Sequence, residues 1–225
     1  MTATLLIAAH GTTSAAGSAT TRAMTDAVAA QRPGLRVELC FLDVARPTLT
    51  EALDAIAGDV IVVPLLLSAG FHVTTDIPAV VAGRRNVRMA RHLGPDPLVI
   101  RAVADRLAEA RGATVPASTA LAAVASTRPS AHGEVDAARA ALEVELGRKV
   151  TLLALGPDVQ ATLDALAQPV EIAVYLLAEG TFLTELGRIA ASTAVVAEPI
   201  GAHPALIEAV LARYDETAEP PDPVR

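Results

Sequence analysis

The chain has 225 residues, a formal net charge of -7, 52% hydrophobic residues and only 2% aromatic ones. That length suits one large domain or two of about 110 residues, and the acidic balance with so few rings excludes a general nucleic-acid surface, which needs a basic stripe and stacking aromatics. The longest apolar runs, such as "VIVVPLLLSAG", fall short of the roughly 20 residues that cross a bilayer, and "MTATLLIAAHG" has neither a basic leader nor a cleavage site, so no membrane partner and a cytoplasmic location are expected.

Short β-rich runs alternate with longer Ala/Leu-rich stretches of helical period, the pattern of βαβ units and a parallel sheet. The first half predicts strands at about 4–9, 36–42, 59–66 and 87–91, with helices at about 15–32, 48–57, 75–83 and 96–110. Strand one empties into "AAHGTTSAAG", which has glycines and hydroxyls but lacks GxGxxG and a P-loop lysine, so a nucleotide site there is not expected. Cys40 lies inside "VELCFLD" and reads as a buried, inert strand cysteine. The fourth strand is flanked by Arg84, Arg85, Arg88 and Arg91, for which a solvated basic edge is the simpler reading and attraction of a carboxylate-rich ligand the functional one.

After the linker "EARGATVPAST", strands are expected at about 119–125, 149–155, 170–177 and 193–197. The second set repeats the first. "VVPLLLSAGFH" answers to "AVYLLAEGTF", "LGPDPLVIRAVADRL" to "IGAHPALIEAVLARY" and "RVELCFLD" to "KVTLLALG", at offsets of 110, 107 and 113 residues. The expectation is an α/β protein of two similar domains, each a four-stranded parallel sheet flanked by helices: 1–112, 113–217 and a loose tail at 218–225. Charge divides unevenly, with 11 Lys/Arg against 10 Asp/Glu in residues 1–111 and 7 against 15 thereafter, so an anionic ligand should prefer the first half.

Ligands of a parallel sheet bind beyond the carboxyl ends of its strands. Three exits matter here: strand one ends at His10, strand two at Asp43 and strand three at His72. Singly, each reads as a loop, turn or cap residue. Together, two imidazoles and a carboxylate at one sheet edge suit a divalent first-row metal or proton transfer, and no HExxH or CxxC spacing names the metal. Arg46 stands three residues after Asp43. His92 is a reserve candidate, whereas His132 and His203 sit near helix starts and read as caps.

"LLIAAHGTT", "FLDVARPTLTEAL" and "VIVVPLLLSAGFHVTTDIP" resemble, in order and spacing, the signature blocks of the sirohydrochlorin cobalto- and ferrochelatases, the class II chelatases, over residues 4 to about 110. The second half looks like the degenerate companion domain of their long two-domain form. The resemblance implies insertion of Co2+ or Fe2+, with Ni2+ in some relatives, into sirohydrochlorin without ATP or an organic cofactor, for cobalamin or siroheme biosynthesis. It matches His10 and His72 to the family's metal-handling histidines. Asp43 falls where many members carry glutamate, and Thr12 with Thr13 replaces the more usual serine.

On that reading Gly11 and Gly70 leave room for a flat macrocycle, with Thr12, Arg46, Phe71 and Asp76 as further substrate-side residues. Packing beneath His72 is the simpler role for Phe71, and capping the helix of "DIPAVV" the simpler one for Asp76, with Pro78 in its first turn. The repeat puts Phe182 opposite His72, Gly156 opposite Asp43 and Ser126 near His10. One active site per chain is therefore expected, in the cleft between the domains, in a monomer. The rival reading is a metal or tetrapyrrole carrier on the same fold.

Overall fold

The computed structural model describes residues 2–112, 115–124, 129–191 and 193–219, the last tail residues and Ser126 lying outside them. Four parallel strands, β1 (Thr4–Ala9), β2 (Val37–Phe41), β3 (Val60–Leu65) and β4 (Val87–Met89), form a sheet of order β2-β1-β3-β4. A second parallel sheet, β5 (Ser118–Val124), β6 (Val150–Leu155), β7 (Val170–Val174) and β8 (Ala194–Val196), has the equivalent order β6-β5-β7-β8. The helices are α1 (Ala15–Gln31), α2 (Leu49–Ala55), α3 (Ile77–Val81), α4 (Pro97–Arg111), α5 (Pro129–Leu146), α6 (Val159–Asp164), α7 (Thr181–Ala190) and α8 (Pro204–Ala218). The α/β architecture of two like sheets is as the sequence predicts.

Local chemistry explains the helix starts. Ser14 accepts the Gly17 N–H ahead of α1, Thr48 and Glu51 close a capping box on α2, and Asp96 accepts the Leu98 N–H ahead of Pro97 on α4. His203 caps α8 through the Ala205 N–H, as expected. Helix 75–83 differs from expectation: a π-turn, His72–Asp76, precedes the short α3.

Strand period then divides the first sheet between two cores. Leu5, Ile7, Ile61, Val63 and Leu65 point into a cluster that runs on through the second half, while Leu6, Ala8, Val60 and Val62 point the other way, onto α2 and α3. Cys40 is in that outer cluster, and burial pushes its thiol up to about 12.

The large core is shared because the last helix of each half crosses over. α8 packs on β3 and α4 on β7, and the two helices also pack on each other. Close contacts hold the crossing together. A Cβ on Gly94 would lie 2.1 Å from the Tyr175 hydroxyl oxygen and 2.4 Å from the Leu67 carbonyl oxygen, so only glycine fits. Tyr214 on α8 donates to the Ala3 carbonyl at 2.6 Å.

Each crossing helix also carries an arginine to the other's start. Arg213, 2% exposed, pairs with the Asp96 cap at 2.5 Å and donates to the His92 carbonyl at 3.2 Å; Arg106 donates to the Ile200 carbonyl, beside the His203 cap. Arg213→Ala would leave Asp96 buried and unpaired, and unfolding in urea should show a loss of about 3–5 kcal/mol.

His203 responds to pH in the opposite way to a paired histidine. Burial, then the Arg106 charge, hold its imidazole below its ordinary value, with Asp105 and Glu109 opposing and Arg101 adding a weaker push. The folded state therefore takes up the proton less readily than the unfolded chain, so this contribution to stability is complete above about pH 6.5 and is lost as pH falls below it. His203→Asn keeps a capping side chain without titrating, and the fall of Tm on acidification below about pH 6.5 should become shallower.

Candidate functional site

Both imidazoles stand at strand exits on one edge of the first sheet. His10 follows β1 and His72 opens the π-turn seven residues after β3, and their rings meet edge to face with centroids 4.8 Å apart. Each ring has its Nδ1 engaged. His10 Nδ1 lies 3.2 Å from the Gly11 carbonyl oxygen and His72 Nδ1 lies 2.7 Å from Asp76 Oδ2. A carbonyl and an ionised carboxylate only accept, so each Nδ1 carries a proton, and in the neutral ring Nε2 keeps a lone pair. Two neutral imidazole donors side by side can bind a divalent first-row cation or take up a proton.

The π-turn gives Asp76 its place. The Ile77 N–H bonds to the His72 carbonyl across the widened turn, and Asp76 comes round onto the His72 ring. Its side chain makes no cap bond, so the expectation of a helix cap is corrected: Asp76 orients His72 and fixes its tautomer.

Asp43 stands close by but is not gathered into the pair. Its N–H donates to the His10 carbonyl at 2.9 Å, while its carboxylate accepts the Val44 N–H at 2.8 Å in a turn where Val44 has φ 50°. Among the described residues no group of three or more His, Cys, Asp or Glu is placed to hold a metal ion. Gly11 is demanded by this junction rather than by a ligand: its φ is 97° and a Cβ would lie 2.1 Å from the Asp43 carbonyl oxygen. At Gly70 a Cβ would meet nothing within 4 Å, so open space lies over that stretch.

The remaining expectations divide. Thr12 lines the cavity beside His10, with its hydroxyl accepting the Ser14 N–H. Arg46 pairs with Glu51 on the surface. Phe71, next to His72 in the chain, is 53% exposed. Arg84 pairs with Asp54, Arg91 with Glu216, and Arg88 donates to the Thr217 carbonyl, in keeping with the solvated basic edge.

A cavity of about 580 Å³ opens between the halves, with His10, Gly11 and Thr12 on one wall and Tyr175, Glu179 and Phe182 on the other. Two contacts fix its walls reciprocally. Thr20 on α1 donates to Glu179 Oε2 at 2.6 Å, and Glu134 on α5 accepts the Ala69 N–H at 2.6 Å, just before Gly70. Glu134 also brings Oε1 within 3.2 Å of the buried His92 Nε2. His92 is thus part of the junction between halves. Sequence reasoning passed over Thr20, Glu134, Tyr175 and Glu179; the one signal was the repeat itself, in which charged Glu179 stands where the first half has Ala69.

Residues 4–110 match the family described as CbiX. Over its full length the chain is similar to the sirohydrochlorin chelatase SirB from Bacillus subtilis subspecies spizizenii in complex with cobalt, with 25% identity and a TM-score of 0.82 over 98% of this chain and 97% of that one. The likeness is thus to sirohydrochlorin chelatases, by family model in the first half and by fold in both. A second structure, SirB from Bacillus subtilis with Fe3+, is similar at 25% identity and a TM-score of 0.80, over 97% of this chain and 96% of that one. The structure of CbiX described as the terminal enzyme of siroheme biosynthesis in denitrifying bacteria shares the fold, at 18% identity and a TM-score of 0.68 over 93% and 98% of the two chains. No curated protein sequence matches this chain significantly.

If Asp76 orients a metal-binding His72, Asp76→Ala should weaken Co2+ binding about 10- to 100-fold, read from the visible bands of a Co2+ titration, while Asp76→Asn should lose less.

Proposed function

We infer that this protein inserts a divalent metal, Co2+ or Fe2+, into sirohydrochlorin without ATP, serving cobalamin or siroheme synthesis. The observation that carries the reading is the match of the whole chain, both halves included, to a sirohydrochlorin chelatase solved with cobalt. His10 on the cavity wall, paired with His72, supplies chemistry that fits it.

Metallation has three requirements: a hydrated cation must be stripped, two pyrrole N–H protons must leave, and the ring must be held while water is excluded. His10 and His72 would hold the cation through their Nε2 lone pairs. Two imidazoles fill only part of a first-row ion's coordination, so water and then pyrrole nitrogens can occupy the rest. That suits an ion in transit, which must bind firmly enough to lose water and loosely enough to leave. Once the metal moves on, the same nitrogens can take up a proton.

Asp43 would act from the rim, where a carboxylate beside His10 draws a cation toward the pair. Gly70 with its open space, Thr12 and the exposed ring of Phe71 would face the macrocycle, while Arg46 would reach its carboxylate substituents only by leaving Glu51. The active site belongs to the first half, with residues 1–112 carrying both histidines and the second half, 113–217, closing the cleft. Among the described residues no helix is long and apolar enough to cross a membrane.

The test mixes purified protein, sirohydrochlorin and Co2+ or Fe2+ and follows the visible spectrum. Acceleration over the spontaneous rate is expected, and its absence would sink the reading. Removing both imidazoles, His10→Ala with His72→Ala, should cost at least about 100-fold in rate while metal-free sirohydrochlorin still binds.

A further inference from the structure

Metal insertion releases two protons, yet the cavity holds few groups that could take them. Among its lining residues the titratable side chains are His10, Tyr175 and Glu179. Burial, with the Glu134 and Asp96 charges behind it, pushes the Tyr175 phenol up, and its hydroxyl already donates toward the Leu67 carbonyl at 3.4 Å. The phenol thus keeps its proton and is no acceptor. There remain one imidazole on the wall from the first half and one carboxylate on the wall from the second.

Glu179 is held in place from across the cleft. Thr20 Oγ1 donates to its Oε2 at 2.6 Å, and its backbone carbonyl oxygen lies 2.3 Å from where a Cβ on Gly17 would be, so α1 packs directly against this residue. Only glycine at position 17 permits that approach. A carboxylate fixed by a helix of the other half, lining the same cavity as His10, is more than a solvated surface charge.

We propose that Glu179 is the base for one of the two pyrrole protons, so that the second half contributes a catalytic residue as well as a wall. The proposal rests on the chelatase reading. One pyrrole N–H bond breaks and its proton passes to the Glu179 carboxylate, making the neutral acid; that nitrogen's lone pair forms a bond to M2+. The second N–H proton leaves toward the imidazole side, and both acceptors later discharge to water. One M2+ enters, two H+ leave and no electrons change hands. A flat ring lying between the walls turns one face to His10 and the other to Glu179, which gives each proton its own exit.

The experiment uses the full chain, sirohydrochlorin and Co2+, and compares wild type with Glu179→Gln and Glu179→Ala, the latter with and without added acetate. Glu179→Gln keeps an oxygen for Thr20 and so preserves the contact across the cleft. It should lose about 100-fold in kcat with KM for sirohydrochlorin unchanged, since a positioned base acts on the step rather than on binding. Acetate should restore part of the rate to Glu179→Ala, a rescue that a purely structural carboxylate would not show. Wild-type kcat in a folded Glu179→Gln, or a Glu179→Ala protein whose lost rate acetate leaves untouched, would overturn the proposal alone. No turnover by the wild type would overturn the chelatase reading and this proposal with it.

Discussion

The exchange of α4 and α8 sets the terms for everything else in this molecule. Each is the last helix of its half, and each lies on a strand of the other half, α4 on β7 and α8 on β3. Apolar burial is the dominant favourable term in folding, and here the largest apolar cluster is common property. The halves are therefore held in one relation by the core itself rather than by a surface contact. Gly94 against Tyr175 and Arg213 against the Asp96 cap then fix that relation to within atomic contact.

A cleft walled by two rigidly related sheets can divide chemistry between them. The first half brings two oriented imidazoles to one edge, and the second brings a carboxylate that the first half holds through Thr20. The trade runs in both directions, because Glu134 of the second half holds the Ala69 N–H just ahead of the His72 turn. Neither wall is built from one repeat alone. The second repeat has lost the histidine and kept the strand and glycine, which in the proposed chemistry is specialisation of one wall and not decay of a spare copy.

Much of the fold was legible because its signals are local. Period-2 and near-continuous apolar runs marked the strands, His203 marked the start of α8 as its cap, and repeat offsets of 107 to 113 residues carried the second sheet. The strand-exit rule also brought His10 and His72 to one place. It does not fix side-chain direction: Asp43 accepts the Val44 N–H, and Asp76, read as a cap from its residue type, turns back onto His72. Capping and histidine orientation both require an aspartate at the start of a turn, so residue type alone does not separate them. Glu179 and Glu134 were illegible for another reason. Their partners are more than 60 residues away across an exchanged interface, and no local pattern encodes that.

The π-turn at His72–Asp76 constrains chain length more than residue identity. Thr75 is exposed, so its side chain is open to change, whereas Ile77, at 0% exposure, anchors the start of α3 in the outer core. Losing one residue from 73–75 would rotate the rest of the segment by about 100° and force a choice. Either Asp76 stays on the histidine and Ile77 leaves the core, or Ile77 stays buried and the histidine loses its carboxylate. A lineage of such proteins is thus free to reword this segment but not to shorten it.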